Sequence, residues 1–327
     1  MYRGSVWRVI LRPDSFCQGA TAVGSMMSHG PLPIRLLTHN VRYATTSPFK
    51  GEERWEVRRP RLISELRFNT FHYVESFICL QEVLHNQLVD ILSRLNEPRE
   101  TWAYIGVGRN DGHEAGEYSP ILYQPAVWVL KSYKTVWLSE TPDRPSKSWD
   151  AASIRILTIG VFQHRESKKT VVAMNTHLDD QGSESRLKAA NLILQQIAVF
   201  SEETKGRETL PVFLAGDFNS TPDEEAYKTI ISADSPICDL QLLVPENQRY
   251  GNLHTFTGFE GDRTQFLRID FLFINCTQKS IRHSHDPTHT NPADQWLVEG
   301  YGVLENRFED GVYISDHRAV IGDVMLQ

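Results

Sequence analysis

Pro211-Val212-Phe213-Leu214-Ala215-Gly216-Asp217-Phe218-Asn219-Ser220-Thr221-Pro222 is a short apolar run that stops in Gly-Asp-x-Asn and a turn. A run of this length, bounded by turn residues, predicts a strand buried on both faces. Gly216 lets the chain bend without a Cβ penalty. A carboxylate and an amide at the end of a buried strand are costly unless something binds them. Metals, phosphates and reacting waters are the usual partners, so the rest of the chain is read for matching groups.

Working outward, several further strands end in polar residues. Ile34 to Arg42 reads as a core strand ending around Asn40, and Phe77 to Val83 as a second, ending in Gln81-Glu82. Arg155–Gln163 and Thr170–Thr176 alternate like an antiparallel hairpin turned at Glu166–Lys169, and its second strand runs into His177. Leu267 to Ile274 is a strand with Asp270 embedded in it, and Asp316-His317 precede a last strand ending near Val324. Trp102–Gly108 reads as a strand; Tyr118–Tyr123 and Val127–Trp137 read as two neighbouring strands joined at Gln124-Pro125. Helical spacing covers Trp55–Leu66, Leu84–Leu95 and Glu184–Phe200, and a further helix starts near Pro222–Glu225 with acids in its first turn. Residues 277–309 read as a long polar insertion.

If the strands share a core, Asn40, Glu82, His177, Asp217, Asn219, Asp270, Asp316 and His317 converge on one rim. A single buried acid or histidine is ordinarily structural; so many coincidences in one chain are not. Such a set suits metal-assisted phosphoester hydrolysis. Hard oxygen ligands match Mg²⁺, with Mn²⁺ as a substitute, and no His/Cys cluster of zinc type accompanies them. The metal neutralises phosphate charge, histidines donate to phosphoryl oxygens, and a carboxylate orients or deprotonates the attacking water.

Composition sets outer bounds. With 327 residues, 40% hydrophobic and 23% charged, the chain has ample material for a core. No Pro/Gly/Ser linker divides it, so residues 33–327 are expected to form a single domain behind a disordered tail or targeting segment at 1–32. That segment, with Arg3, Arg8 and Arg12 among apolar residues, reads as a simple tail or as a mitochondrial presequence. A net charge of −7 argues against a non-specific nucleic-acid binder. No stretch reaches the ~20 apolar residues of a membrane span. Cys17, Cys79, Cys238 and Cys276 show no paired spacing and are expected as free thiols in a reducing compartment. The chain is accordingly expected inside the cell, in cytoplasm or nucleus, as a monomer. His283, His285, Asp286 and His289 in the insertion read as a solvated loop rather than a second metal site.

Thr38-His39-Asn40-Val41-Arg42-Tyr43, Leu80-Gln81-Glu82-Val83, Asn175-Thr176-His177-Leu178-Asp179, Gly216-Asp217-Phe218-Asn219, Arg268-Ile269-Asp270 and Ser315-Asp316-His317 resemble, in order, the motifs of the endonuclease/exonuclease/phosphatase superfamily of metal-dependent phosphoesterases. The resemblance implies a four-layer α/β sandwich, two mainly antiparallel β-sheets face to face with helices outside. It implies Glu82 as principal Mg²⁺ ligand, helped by Asn40 and Asp316. Asp217 would orient and activate water, Asn219 would contact the scissile phosphate, and His177 and His317 would polarise phosphoryl oxygens, with Asp270 holding His317. Whether Asp217 or His317 takes the water's proton stays open at this level. Arg42 stands where branches acting on abasic DNA often carry an acid, which argues against that activity and suggests an added phosphate contact. Gly116 to Tyr123 and Trp149-Asp150 resemble a little-characterised subgroup, making Tyr123, Trp149 and Asp150 candidate pocket residues. The expected partner is a phosphorylated substrate, either nucleic acid or a small molecule such as a nucleotide, sugar, inositol or lipid head group.

Overall fold

The computed structural model describes residues 30–201, 209–276 and 295–327. Cys17 and the insertion residues His283, His285, Asp286 and His289 lie outside them. Two mixed sheets pack face to face. One has seven strands, in the order β10 (Tyr250–Gly251), β12 (Trp296–Val303), β13 (Val320–Leu326), β1 (Leu32–Asn40), β2 (Phe77–Gln81), β4 (Ile121–Tyr123) and β3 (Ala103–Ile105). The other has six: β5 (Trp128–Trp137), β6 (Ile156–His164), β7 (Thr170–His177), β8 (Val212–Asp217), β11 (Asp270–Asn275) and β9 (Ile237–Asp239). Antiparallel pairs predominate; β1–β2, β7–β8 and β10–β12 are parallel.

Side-chain alternation builds the layers. Along β8, Phe213 and Ala215 point into the core between the sheets, and Val212 and Leu214 point outward under helices. Leu36, Phe77, Cys79, Phe162, Val171 and Leu272 share the inner core. Helices α3 (Ser183–Ser201) and α4 (Glu225–Ile230) cover the outer face of the six-stranded sheet through Ala190, Ile193, Ile197 and Tyr227. Helices α1 (Trp55–Thr70) and α2 (His85–Leu95) cover the other through Leu62, Leu66, Leu88 and Ile91. The result is helix, sheet, sheet, helix, as the sandwich expectation requires. Among the described residues no helix is long and apolar enough to cross a membrane.

Three expectations are corrected. The Tyr118–Tyr123 and Val127–Trp137 runs are not neighbours, because β4 and β5 belong to different sheets. The Gln124 carbonyl accepts from the Val127 and Trp128 amides, and this turn carries the chain across the inner core, where Tyr123 and Trp128 both pack. The polar insertion 277–309 contains a true strand, β12, paired with β13 through a bulge between Val298 and Gly300. Its Trp296, Tyr301 and Val303 are core residues, hidden in the sequence by the glycines and Glu299 between them. Cys238 and Cys276 form a disulfide, with Cα atoms 5.9 Å apart, whereas Cys79 is a buried free thiol. They lie 38 residues apart in sequence and meet because β9 pairs with β11 at the sheet edge.

One buried cation locks α1 to the ends of the strands. The Arg58 guanidinium donates to the carbonyls of Glu53 (2.9 Å), Val41 (2.9 Å), Arg42 (3.1 Å) and Ile314 (2.8 Å). Loop carbonyls inside a protein need such partners. Arg58→Met is expected to lower unfolding free energy by about 3 kcal/mol or more, since each orphaned buried group costs roughly 1–3 kcal/mol. Urea denaturation measures it, and a change below about 1 kcal/mol would mean the carbonyls find other donors.

Candidate active site

Strand register assembles the site. In the parallel β7–β8 pair His177 lies beside Asp217, and in the antiparallel β8–β11 pair Asp270 lies on the other side of Asp217. On the facing sheet, β1 and β2 run parallel and set Asn40 beside Gln81, with Glu82 next in the chain. Gly216 permits the close approach of β7 to β8, since a Cβ there would lie 2.3 Å from the Thr176 carbonyl oxygen.

Asn40 joins the two halves. Its Nδ2 donates to Glu82 Oε1 at 3.0 Å and to Asp217 Oδ2 at 2.9 Å, and its Oδ1 accepts from the Arg42 amide at 3.0 Å. Glu82 also accepts from the Tyr43 amide at 3.1 Å. Asp217 accepts from the Asn219 amide at 2.8 Å, with His177 Nε2 at 3.5 Å and His317 Nε2 at 3.7 Å. His317 Nδ1 bonds Asp270 Oδ2 at 2.9 Å, and its ring packs on Phe256. Asn219 Nδ2 lies 2.9 Å from His177 Nε2 and 3.0 Å from the Leu178 carbonyl. Both Asn219 amide hydrogens are thus engaged, and His177 Nε2 is an acceptor.

Burial and charge separate the two histidines. His177 is pushed well below its ordinary value by burial and by Arg155, Arg109 and His317, so it is neutral. Burial also opposes charge on His317, but Asp270, Asp217 and the Asp270 hydrogen bond outweigh it and hold the ring well above its ordinary value. It is a cation. Burial, then the Asp270 charge, pushes Asp217 up to about 7 against the pull of His317 and Asn40.

Donors for a metal divide into two sets. Asp217, Asp270 and His317 offer atoms within 4.8 Å of one another, all buried; Asp270 Oδ2 and His317 Nδ1 are bonded to each other, and Asp270 Oδ1 has no hydrogen-bond partner. Glu82 and Asp316 are partly exposed. Asp316 is raised by desolvation and, among charges, by Glu82, against His317 and Arg42. Two partly exposed carboxylates that repel one another, one of them bonded to the Asn40 side-chain amide, are hard donors that fit Mg²⁺ or Mn²⁺.

The other sequence candidates fall outside this cluster. Tyr123 is in the inner core against Phe162. Asp150 accepts from the Glu184 and Ser185 amides, capping α3, so its carboxylate is used structurally. Trp149 is partly exposed with φ of 57°. Arg42 is buried, paired with Glu52 at 3.1 Å, and 3.9 Å from Glu82; its charge supports the site from behind more than it faces solvent.

Several participants escaped sequence reasoning. His39 Nδ1 lies 2.9 Å from Glu65 and Nε2 3.2 Å from the His317 carbonyl. Asn306 donates to the carbonyls of Ser315 (2.9 Å) and His317 (3.3 Å), and Ser315 Oγ donates to the Asn40 carbonyl at 2.6 Å. Glu117 sits 3.9 Å from His177 Nδ1 and forms a two-bond fork with Arg109 at 2.7 and 2.9 Å. The serine stood inside a quoted motif; Asn306 lay in an apparent polar insertion and offered no signal.

Comparison with known proteins agrees with the geometry. Nocturnin from Drosophila melanogaster is 22% identical over 297 residues, and the match covers 83% of this chain but 42% of that protein; the chain thus spans under half of that relative's length. An endonuclease/exonuclease/phosphatase from Bacteroides vulgatus superposes with a TM-score of 0.74 at 29% identity, covering 90% of this chain and 99% of its own. A mannosyl-6-phosphatase from Bacteroides thetaiotaomicron superposes with a TM-score of 0.73 at 26% identity, covering 89% and 99%. The family model described as Endonuclease/Exonuclease/phosphatase family matches residues 37–317, and the chain belongs to that family.

Proposed function

We propose that this protein is a divalent-metal-dependent phosphoesterase that hydrolyses a small phosphorylated molecule by in-line attack of water. The observation that carries the reading is the Asn40 amide bonded to Glu82 and Asp217 at once, which sets a candidate metal ligand beside a candidate base. Family members act on phosphoesters and are generally metal dependent. A metal held by Glu82, Asp316 and Asn40 Oδ1 would supply charge neutralisation for the phosphate and the leaving oxygen.

The chain's own groups divide the remaining work. Asp217, with a pKa near neutrality, orients water and takes its proton. His317, already protonated and held by Asp270, is a poor base and a good donor to the phosphoryl oxygens as negative charge builds there. Asn219 can offer an uncharged contact to the same oxygens once one of its two amide hydrogens is released from His177 or from the Leu178 carbonyl. His177 is neutral and its Nε2 accepts from the Asn219 amide, so direct contact of His177 Nε2 with phosphate requires that amide to let go and the ring proton to sit on Nε2. The small-molecule preference follows from net acidity and from arginines around the site that are paired with carboxylates. A phosphatase among structural relatives above 25% identity supports it.

Purified protein with Mg²⁺ is tested on phosphomonoesters, bis-p-nitrophenyl phosphate and labelled single- and double-stranded nucleic acids. Hydrolysis of small esters, lost in EDTA, is expected; cleavage of polymers at low enzyme would instead make it a nuclease. Asp217→Asn and His317→Ala should each lower kcat by about 10²-fold or more with unchanged circular dichroism. Full activity in either folded variant would overturn the assignment.

Asp217 also predicts a pH-dependent stability. A carboxyl raised from 3.8 to about 7 on folding favours the fold fully below its unfolded value, and that contribution is lost as pH rises through about 7. In EDTA, the Tm of Asp217→Asn minus that of wild type should therefore grow between about pH 5 and about pH 8. A gap that stays constant or shrinks would mean Asp217 ionises without cost in the fold.

A further inference from the structure

The loop between β3 and β4 brings a second charged constellation to His177. Arg109 and Glu117 sit at its two ends. The Arg109 amide bonds the Glu117 carbonyl (3.1 Å), Asn110 bonds Ala115 (3.0 Å) and Gly108 bonds His113 (2.8 Å). Asp111 Oδ1 collects the amides of His113 (2.7 Å) and Ala115 (3.0 Å), and Trp137 Nε1 ties down the Arg109 carbonyl at 2.8 Å. A Cβ at Gly116 would strike the Asn110 side chain at 2.6 Å. The loop is closed by its backbone, so the Arg109–Glu117 fork is not needed to hold it.

That fork is nonetheless held half-buried, at 14% and 16% side-chain exposure, where desolvation makes an ion pair expensive. Glu117 reaches to 3.9 Å from His177 Nδ1, and the opposite nitrogen of the same ring touches Asn219. The charges of Glu82 and Asp180 act on both Arg109 and Glu117, so the four groups lie near one another. Arg155 joins through Asp180 at 2.7 Å; its side chain is 5% exposed and its Nη1 has no hydrogen-bond partner. His177 Nδ1 is likewise buried without a hydrogen bond.

We infer that Arg109 and Glu117, with Arg155 and Asp180 beside them, form a subsite for an uncharged, hydroxyl-rich leaving group, a sugar or polyol. The inference rests on the phosphoesterase reading and names its substrate class. Charge decides against a second phosphate: Arg109 is matched by Glu117, and Arg155 by Asp179 and Asp180, so an added anion would meet more carboxylates than free cations. Hydrogen-bond capacity decides for hydroxyls. Each Glu117 oxygen spends one acceptor site on Arg109 and keeps another, and Arg109 keeps unspent N–H groups. A hydroxyl both donates and accepts, so neighbouring hydroxyls bond the carboxylate and the guanidinium together, in a fork already set in position.

The test is a substrate ratio. Full-length wild type, Glu117→Gln and Arg109→Lys are assayed with Mg²⁺ on a panel of hexose 6-phosphates and myo-inositol 1-phosphate, and on p-nitrophenyl phosphate, which has no hydroxyls. For each variant the ratio of kcat/KM on the best polyol phosphate to that on the aryl phosphate should fall about tenfold or more, as expected for lost bonds to charged groups. An unmoved ratio in both variants overturns the subsite. A wild type that hydrolyses only the aryl ester overturns the subsite while the phosphoesterase reading stands. A wild type inactive on every ester sinks that reading instead, and calorimetry of the same polyol phosphates in EDTA then decides the subsite. Binding to wild type that weakens about tenfold in Glu117→Gln sustains it, and equal or absent binding ends it.

Discussion

One carboxamide carries the architecture of the site. Asn40 ends β1 in one sheet, and its two amide hydrogens reach Glu82 on the same sheet and Asp217 on the other. No carboxylate could replace it, because an acid in that position would face two more acids with nothing to donate. The geometry demands that the ends of β1 and β8 sit over one another, which is a demand on the whole inner core. Leu36, Phe77 and Cys79 from one sheet must interleave with Val171, Phe213 and Ala215 from the other. A buried polar bridge fixes the same alignment just beneath: Gln81 donates to Asn175 Oδ1 at 2.8 Å, and Asn175 donates to the carbonyls of Leu80 and Pro120. Here the core sets distance and the amides set register.

Backbone strain follows from that arrangement. Arg42, Glu82 and Asn219 all have left-handed φ, at 58°, 60° and 45°, each one or two residues past the end of a strand that feeds the site. Such conformations cost of order 1–3 kcal/mol each and persist when surroundings over-determine them. The surroundings here are the site's own side chains. Asn40 Oδ1 takes the Arg42 amide, Asp217 Oδ1 takes the Asn219 amide, and Glu82 takes the Tyr43 amide. The groups that await a ligand thus also hold the turns that present them. Electrostatics adds a division between otherwise similar rings. His317 faces Asp270 and is cationic; His177 faces Asn219 and two arginines at longer range and is neutral.

What was legible in the sequence is what the two-faced burial of strands dictates. β2, β8 and β11 are apolar on both faces between polar ends, and β1 and β7 are mainly so; their polar termini therefore stand out against the run. Partnership between strands was not legible. Tyr123 and Trp128 are five residues apart and read as one hairpin, yet the turn between them crosses from sheet to sheet, since both aromatic rings belong to the inner core. β12 escaped because Gly300 and Gly302 dilute its alternation, and Cys238 met Cys276 only through the β9–β11 edge pairing. Asp150 and Tyr123, candidate pocket residues by resemblance, are engaged in the fold for a physical reason. An acid near a helix start has amides to cap, and an aromatic in a short strand has a core to fill.

The same distinction separates chemistry from choice of substrate. Register pins His177, Asp217 and Asp270 side by side, so these candidate catalytic groups have little freedom to move without losing the sheet. Arg109, Glu117, Asp180 and Trp149 lie on loops. Those loops are held by acids that bond backbone amides: Asp111 gathers two amides, Asp150 caps α3, and Asp179 gathers the amides of Ala152, Ser153 and Gly182. Burial opposes charge on Asp179, but those amides and Arg155 prevail and hold it down to about 2, so it anchors its loop as a full anion. Because the anchors act on backbone, the side chains they present can change identity while the loops keep their shape. A family built this way can keep one hydrolytic centre and change its leaving group by exchanging a fork such as Arg109–Glu117.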